Sequence, residues 1–164
     1  SYGDHLRCGA IASRTPIMQA VREFANASGP VLGICNGFQI LCEAGLLPGA
    51  LLSNDTQSFI CRQITLDVLD AGTRWTGEQP AGTGLSIPIK HHDGAWQGDP
   101  TQGRVIFRYR GENPNGARDA IAGIANTAGN VMGLMPHPEM ACEPLLGSSD
   151  GALVMAGVLG GAGR

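Results

Sequence analysis

The sequence predicts an α/β fold in which a sheet is covered on both faces by helices. Three observations predict it. An amphipathic helical pattern leads into a short, wholly apolar strand, that strand passes without a loop into a second helix, and several alternating strands follow before a last helical stretch.

The first helix is TPIMQAVREFANASG, residues 15–29. Thr15 suits the N-cap, Pro16 the first helical position and Gly29 the stop, and Ile17, Val21, Phe24 and Ala25 form the expected buried face. PVLGI, residues 30–34, is apolar throughout, as a strand buried on both sides should be. NGFQILCEAG, residues 36–45, then reads as a helix entered at once from that strand. ITLDV alternates from Ile64 to Val68, LSIPIK runs over residues 85–90, and RVIFRYR sets Val105, Phe107 and Tyr109 on one side. All three are expected strands, in part antiparallel. DAIAGIAN and NVMGLM form a hairpin joined around residues 127–129, and Ser148 or Ser149 caps a final helix over residues 150–159. A doubly wound sheet has several parallel strands, yet only residues 30–34 offer a clear one before residue 59. The expectation is therefore a single domain, residues 1–164, whose first strands are missing.

Composition narrows the function. The chain has 164 residues, 43% hydrophobic and 15% charged, enough for one core. A net charge of -3 with scattered Lys and Arg leaves no basic stripe, so no nucleic acid partner is expected. No apolar run approaches the roughly 20 residues of a membrane helix. The start SYGDHLR lacks the apolar segment of a secretory signal, so a cytoplasmic protein with no membrane contact is expected. Five cysteines (Cys8, Cys35, Cys42, Cys61, Cys142) show no C-x-x-C pair and no Cys/His comb, which favours reduced thiols and no metal site.

One thiol stands apart. G-I-C-N-G around Cys35 has the form of the nucleophile elbow G-x-S-x-G with cysteine in the serine position, and Gly33 and Gly37 would let the turn close. A thiol there heads the following helix, where N–H groups and the helix dipole favour its thiolate. Most free cysteines are merely small buried hydrophobes. A nucleophile also needs a base, and the base an orienting group. His5, His91, His92 and His137 are the histidines available. His137 lies in LMPHPEM, where Pro138 keeps it out of the helical region, so residues 135–139 should be extended. Residues two apart on an extended chain share a side, which puts the Glu139 carboxylate within reach of His137. A surface turn with an incidental acid is the competing account of H-P-E. His91 and His92 are adjacent on a strand end, face opposite sides, and cannot easily share a metal.

With these residues placed, the chain resembles the class I (triad) glutamine amidotransferases, and among them the glutaminase subunits of phosphoribosylformylglycinamidine synthase. The resemblance rests on SYGDHLRCGAIA, PVLGICNGFQILCEAGLLPGAL, IPIKHHDGAW, RYRGENPNGARDAIAGIANTAGNVMGLMPHPE and LGSSDG. It implies a flavodoxin-like sheet with flanking helices. It implies that Cys35 attacks the side-chain amide of L-glutamine, His137 shuttles the proton and Glu139 orients His137. It also implies that the Asn36 N–H serves the oxyanion hole and that Gln39 and His91 bind substrate. The ammonia would pass to an ATP-dependent synthetase that makes formylglycinamidine ribonucleotide in purine biosynthesis, with a small bridging subunit in the complex. ATP and magnesium would belong to the synthetase, leaving no cofactor in this subunit. The second oxyanion donor and the first strands of the sheet lie, in this family, before the SYGD motif, and are expected to be missing. Met140 stands where arginine is usual after H-P-E, and KHHDGAW where A-H-G-E-G is common, with Asp93 replacing glutamate. Two other readings remain: another cysteine-elbow hydrolase of the same superfamily, or a truncated, inactive binding subunit.

Overall fold

The computed structural model describes residue 7 and residues 9–160. SYGDHL, with His5, and Cys8 lie outside the described residues. The chain forms α1 (Gly9–Ala12), α2 (Pro16–Asn26), β1 (Val31–Ile34), α3 (Asn36–Glu43), β2 (Ala50–Leu52), β3 (Ile60–Val68) and β4 (Gly84–His91). It continues through β5 (Ala95–Gln97), β6 (Arg104–Tyr109), β7 (Ile121–Ala125), β8 (Val131–Leu134) and α4 (Gly151–Ala156). The main sheet has the order β1-β8-β7-β6-β3-β4, and β2 pairs with β5 in a small separate sheet that the sequence pattern does not reveal.

The fold is α/β, as expected, with one parallel pair, β1 and β8, in a main sheet whose other pairs are antiparallel. β7 and β8 are buried at every residue, so the centre of the sheet is covered on both faces. β3 and β4 instead mix buried and accessible positions.

Gly133 on β8 lies beside Gly33 on β1. A Cβ at Gly133 would fall 1.9 Å from Phe38 Cδ2, and one at Gly33 would meet the Gly37 carbonyl oxygen at 2.6 Å. These two glycines let α3 lie directly on the parallel pair, with Phe38 fully buried between them.

Four local expectations need correction. The buried face of α2 carries Met18 and Ala25, while Ile17 and Phe24 are 67% and 53% exposed. The helix offers two adjacent apolar stripes, and its period alone does not choose between them. The helix also ends before Gly29: Ser28 takes the left-handed backbone position at φ 65°, and Gly29 N–H donates to the Phe24 carbonyl at 2.9 Å. In β6, register shifts on either side of Phe107 turn Ile106 and Phe107 both inward, so strict alternation from Val105 to Tyr109 fails. The last helix is shorter than residues 150–159, and its N-cap is Asp150, whose N–H donates to Ser148 Oγ at 3.0 Å.

Candidate active site

Cys35 sits at φ 50°, ψ -105°, a backbone region that non-glycine residues rarely occupy. The conformation is held from both ends. Cys35 N–H donates to the Leu134 carbonyl at 2.8 Å, tying the elbow to the end of β8, and the Cys35 carbonyl accepts from Phe38 N–H at 3.0 Å as α3 begins. A strained residue fixed between a strand and a helix is what the elbow pattern requires. Gly33 is sterically needed there, whereas Gly37 faces open space among the described residues, so the two glycines are not equivalent.

β1 and β4 are the two edges of the sheet, yet Cys35 Sγ lies 3.8 Å from the Lys90 carbonyl oxygen at the end of β4. His137 N–H donates to the Pro88 carbonyl of the same strand at 2.8 Å. The sheet therefore curls until the end of β4 passes over the ends of the β1–β8 pair, and the elbow and His137 both abut it.

His137 Nδ1 and Glu139 Oε1 are 2.6 Å apart, the contact anticipated from H-P-E. Its backbone origin differs from the extended chain expected: Pro138–Met140 form a single 3-10 turn, and His137 leads into it at φ -103°, ψ 84°. The tight turn folds the carboxylate back onto the imidazole, which strand alternation would have done less closely. The carboxylate only accepts, so His137 Nδ1 carries the proton and Nε2 is the basic nitrogen. That Nε2 is buried and has no hydrogen-bond partner among the described residues. Burial acts to raise the Glu139 carboxyl, but the hydrogen bond and charge of His137 outweigh it, with Lys90 adding to them, and the net displacement is downward.

Asn36 opens α3, where backbone N–H groups point out of the helix end toward the elbow. Gln39, one turn on, is buried; its Oε1 accepts from Asn36 Nδ2 at 2.9 Å and its Nε2 donates to the Asp93 carbonyl at 2.7 Å. His91 is 0% exposed, with Nδ1 3.1 Å from Asn54 Oδ1, which places it behind the surface rather than on it. His92 faces the other way and pairs through Nδ1 with Asp93 Oδ1 at 2.9 Å, so the two histidines diverge as expected.

Three neighbours escape sequence reasoning. Tyr109 is almost fully buried, and burial pushes its phenol well above the ordinary value, with the Asn115 hydrogen bond opposing and the charge of Cys35 adding to the rise. Asn115 donates to the Gly94 carbonyl at 2.8 Å, and Asn54 contacts the same stretch. Buried asparagines leave no periodic mark in a sequence; the only signal is their place beside glycine-rich turns.

The strained cysteine at its strand-to-helix elbow and the histidine–carboxylate pair thus both lie against β4. The chain belongs to the CobB/CobQ-like glutamine amidotransferase domain family, whose model matches residues 1–150. It is 51% identical over 168 residues to phosphoribosylformylglycinamidine synthase subunit PurQ of Brucella abortus, covering 98% of this chain and 75% of that protein. It is 50% identical over 166 residues to the PurQ subunit of Nostoc sp., covering 97% and 74%. Among solved structures it is similar to PurLQS from Thermotoga maritima, with a TM-score of 0.91 and 43% identity over 98% of this chain and 74% of that one. Another glutamine amidotransferase from Thermotoga maritima shares the fold at a TM-score of 0.58 and 19% identity, covering 85% of this chain and 55% of that one.

Proposed function

We propose that the chain is the glutaminase subunit of a phosphoribosylformylglycinamidine synthase, hydrolysing L-glutamine and supplying ammonia to its synthetase partner. The observation that carries this reading is the convergence of Cys35 and the His137–Glu139 pair on the end of β4. The likeness to PurQ subunits and to the PurLQS structure supports the choice of substrate and of partners, a synthetase and a small bridging subunit. The work belongs in the cytoplasm, and no helix among the described residues is long and apolar enough to cross a membrane.

In this mechanism the Cys35 thiolate attacks the side-chain amide carbon of glutamine, and the carbonyl oxygen becomes an oxyanion held by the Asn36 N–H. His137 Nε2, having taken the thiol proton, gives it to the departing nitrogen as the C–N bond breaks. Ammonia leaves, and a γ-glutamyl thioester remains on Cys35. Water then attacks the thioester, His137 takes its proton, and the C–S bond breaks to release glutamate and restore the thiol. Glu139 keeps the imidazole in the tautomer that both halves use. Gln39 helps hold the substrate. No step requires a cofactor in this subunit; ATP and magnesium serve the synthetase.

A glutamine analogue with an electrophilic carbon in place of the side-chain amide tests the reading directly. On the assembled complex, mass analysis should find the adduct on Cys35 and not on Cys61 or Cys142. A folded, assembled protein that acquires no adduct at Cys35 would overturn it.

Glu139→Gln should reduce glutamate release by about tenfold to a hundredfold, because the amide no longer stabilises the imidazolium. The same substitution reports on pH. The folded-state carboxyl value is depressed, so the pair's stabilisation is complete above the unfolded-chain value of about 4.3 and is lost as pH falls through the lower folded value. The melting temperature of Glu139→Gln should lie below wild type near neutral pH, with the gap closing below about pH 4. A gap that widens with acid would contradict the assignment.

A further inference from the structure

Asn54 is fully buried; its carbonyl accepts from Gln57 N–H at 2.9 Å and Gln57 Nε2 at 3.0 Å, while its backbone N–H and its side chain reach one short stretch of chain. Its backbone N–H donates to the His92 carbonyl at 2.8 Å, and its Nδ2 to the His91 carbonyl at 3.0 Å. Its Oδ1 accepts from Gly94 N–H at 3.2 Å and lies 3.1 Å from His91 Nδ1. A further Nδ2 bond reaches the Ser58 carbonyl at 2.9 Å. The Gly94 N–H fixes which end of the side-chain amide faces it, and an accepting Oδ1 in turn makes His91 Nδ1 a donor. A side chain with both a donor and an acceptor on so short a stem is needed to grip residues 91–94 this way.

That stretch reaches the site. The Asp93 carbonyl within it receives Gln39 Nε2 at 2.7 Å, and the Lys90 carbonyl just before it lies beside Cys35 Sγ. Asp93 itself is tied down by Ser53, whose hydroxyl donates to Oδ1 at 2.7 Å, so neighbouring residues of one turn hold both the backbone and the side chain of the stretch.

We infer that Asn54 is a positioning residue for glutamine binding: it holds residues 91–94 so that the Asp93 carbonyl orients the Gln39 amide toward the substrate. The inference rests on the glutaminase reading and assigns Asn54 no contact with the reacting atoms. Its loss should therefore act on substrate affinity and leave the thiol's own reactivity alone.

The test compares wild type, Cys35→Ala, Asn54→Ala and Asn54→Asp, each assembled with the synthetase partner. Glutamate release is followed against glutamine concentration, and Cys35 alkylation by iodoacetamide, a small reagent with no need of Gln39, is followed by mass. Asn54→Ala should raise KM for glutamine about tenfold or more, with kcat and the alkylation rate within about threefold of wild type. Asn54→Asp keeps the acceptor for Gly94 and His91 but sets a carboxylate oxygen, which cannot donate, against the His91 and Ser58 carbonyls, so its KM should rise as well. An unchanged KM in Asn54→Ala, or kcat and alkylation falling together with binding, overturns the proposal. Where Asn54→Ala does not assemble, an unchanged KM in Asn54→Asp overturns it equally. Equal rates for wild type and Cys35→Ala would instead sink the glutaminase reading, so the two failures are distinguishable.

Discussion

Replacing Cys35 by alanine is expected to lower glutamate release from glutamine by at least about a thousandfold in the assembled complex. In the proposed mechanism the thiolate forms the new bond, and no other nucleophile among the described residues stands at the elbow to replace it. Alanine occupies the same strained backbone at φ 50° and keeps the N–H bond to Leu134, so fold and assembly should survive. A change in stability of no more than about 1 kcal/mol is expected, since only one partly buried sulfur is removed. Ammonium salt added to the variant complex should restore product formation by the synthetase, because only the supply of ammonia has been cut. A variant that releases glutamate at the wild-type rate would remove Cys35 from the mechanism.

The largest expected effect on the fold is at Gly133. An added methyl would fall 1.9 Å from Phe38 Cδ2, far inside van der Waals contact, and Phe38 is fully buried with nowhere to retreat. Gly133→Ala must push α3 off the β1–β8 pair or force Phe38 from its rotamer, at a cost of about 3 kcal/mol or somewhat more. For a chain of this size that corresponds to a melting temperature lower by about 6–12 °C. Because the shift of α3 also moves the elbow, activity should fall more steeply than stability. Gly37→Ala provides the contrast: its side chain would meet nothing among the described residues, and about 0.5 kcal/mol or less is expected in either direction. Thermal denaturation of the two variants side by side checks both statements.

Much of this can be read from the residues. The strand–elbow–helix run is legible because three local signals agree: an apolar strand, a glycine before the nucleophile, and a helical pattern after it. H-P-E points to the right contact through the wrong backbone, since proline sets the conformation of the residue before it but does not forbid a 3-10 turn after it. The buried face of α2 is misread because two apolar stripes compete, and only the neighbouring sheet decides between them. β2 and β5 are invisible because each has only the residues of a short pairing, with no alternation long enough to register. Asn54 and Asn115 escape for a different reason: a buried polar side chain is justified by its partners, and those partners come from distant parts of the chain.

The curling of the sheet has a kinetic corollary. The thiol and the carbonyl beside it are separated by 55 residues in sequence and meet only when the far edge strand has swung over the parallel pair. That contact needs the parallel pair, whose partners lie still farther apart in sequence, and the curled antiparallel strands both in place, so it should be among the last to form during refolding. The protein should regain its secondary structure before its enzymatic competence, and on mild denaturation it should lose turnover while most of its backbone ladder still resists hydrogen exchange. Catalysis would thus serve as a reporter of the final act of closure rather than of folding as a whole.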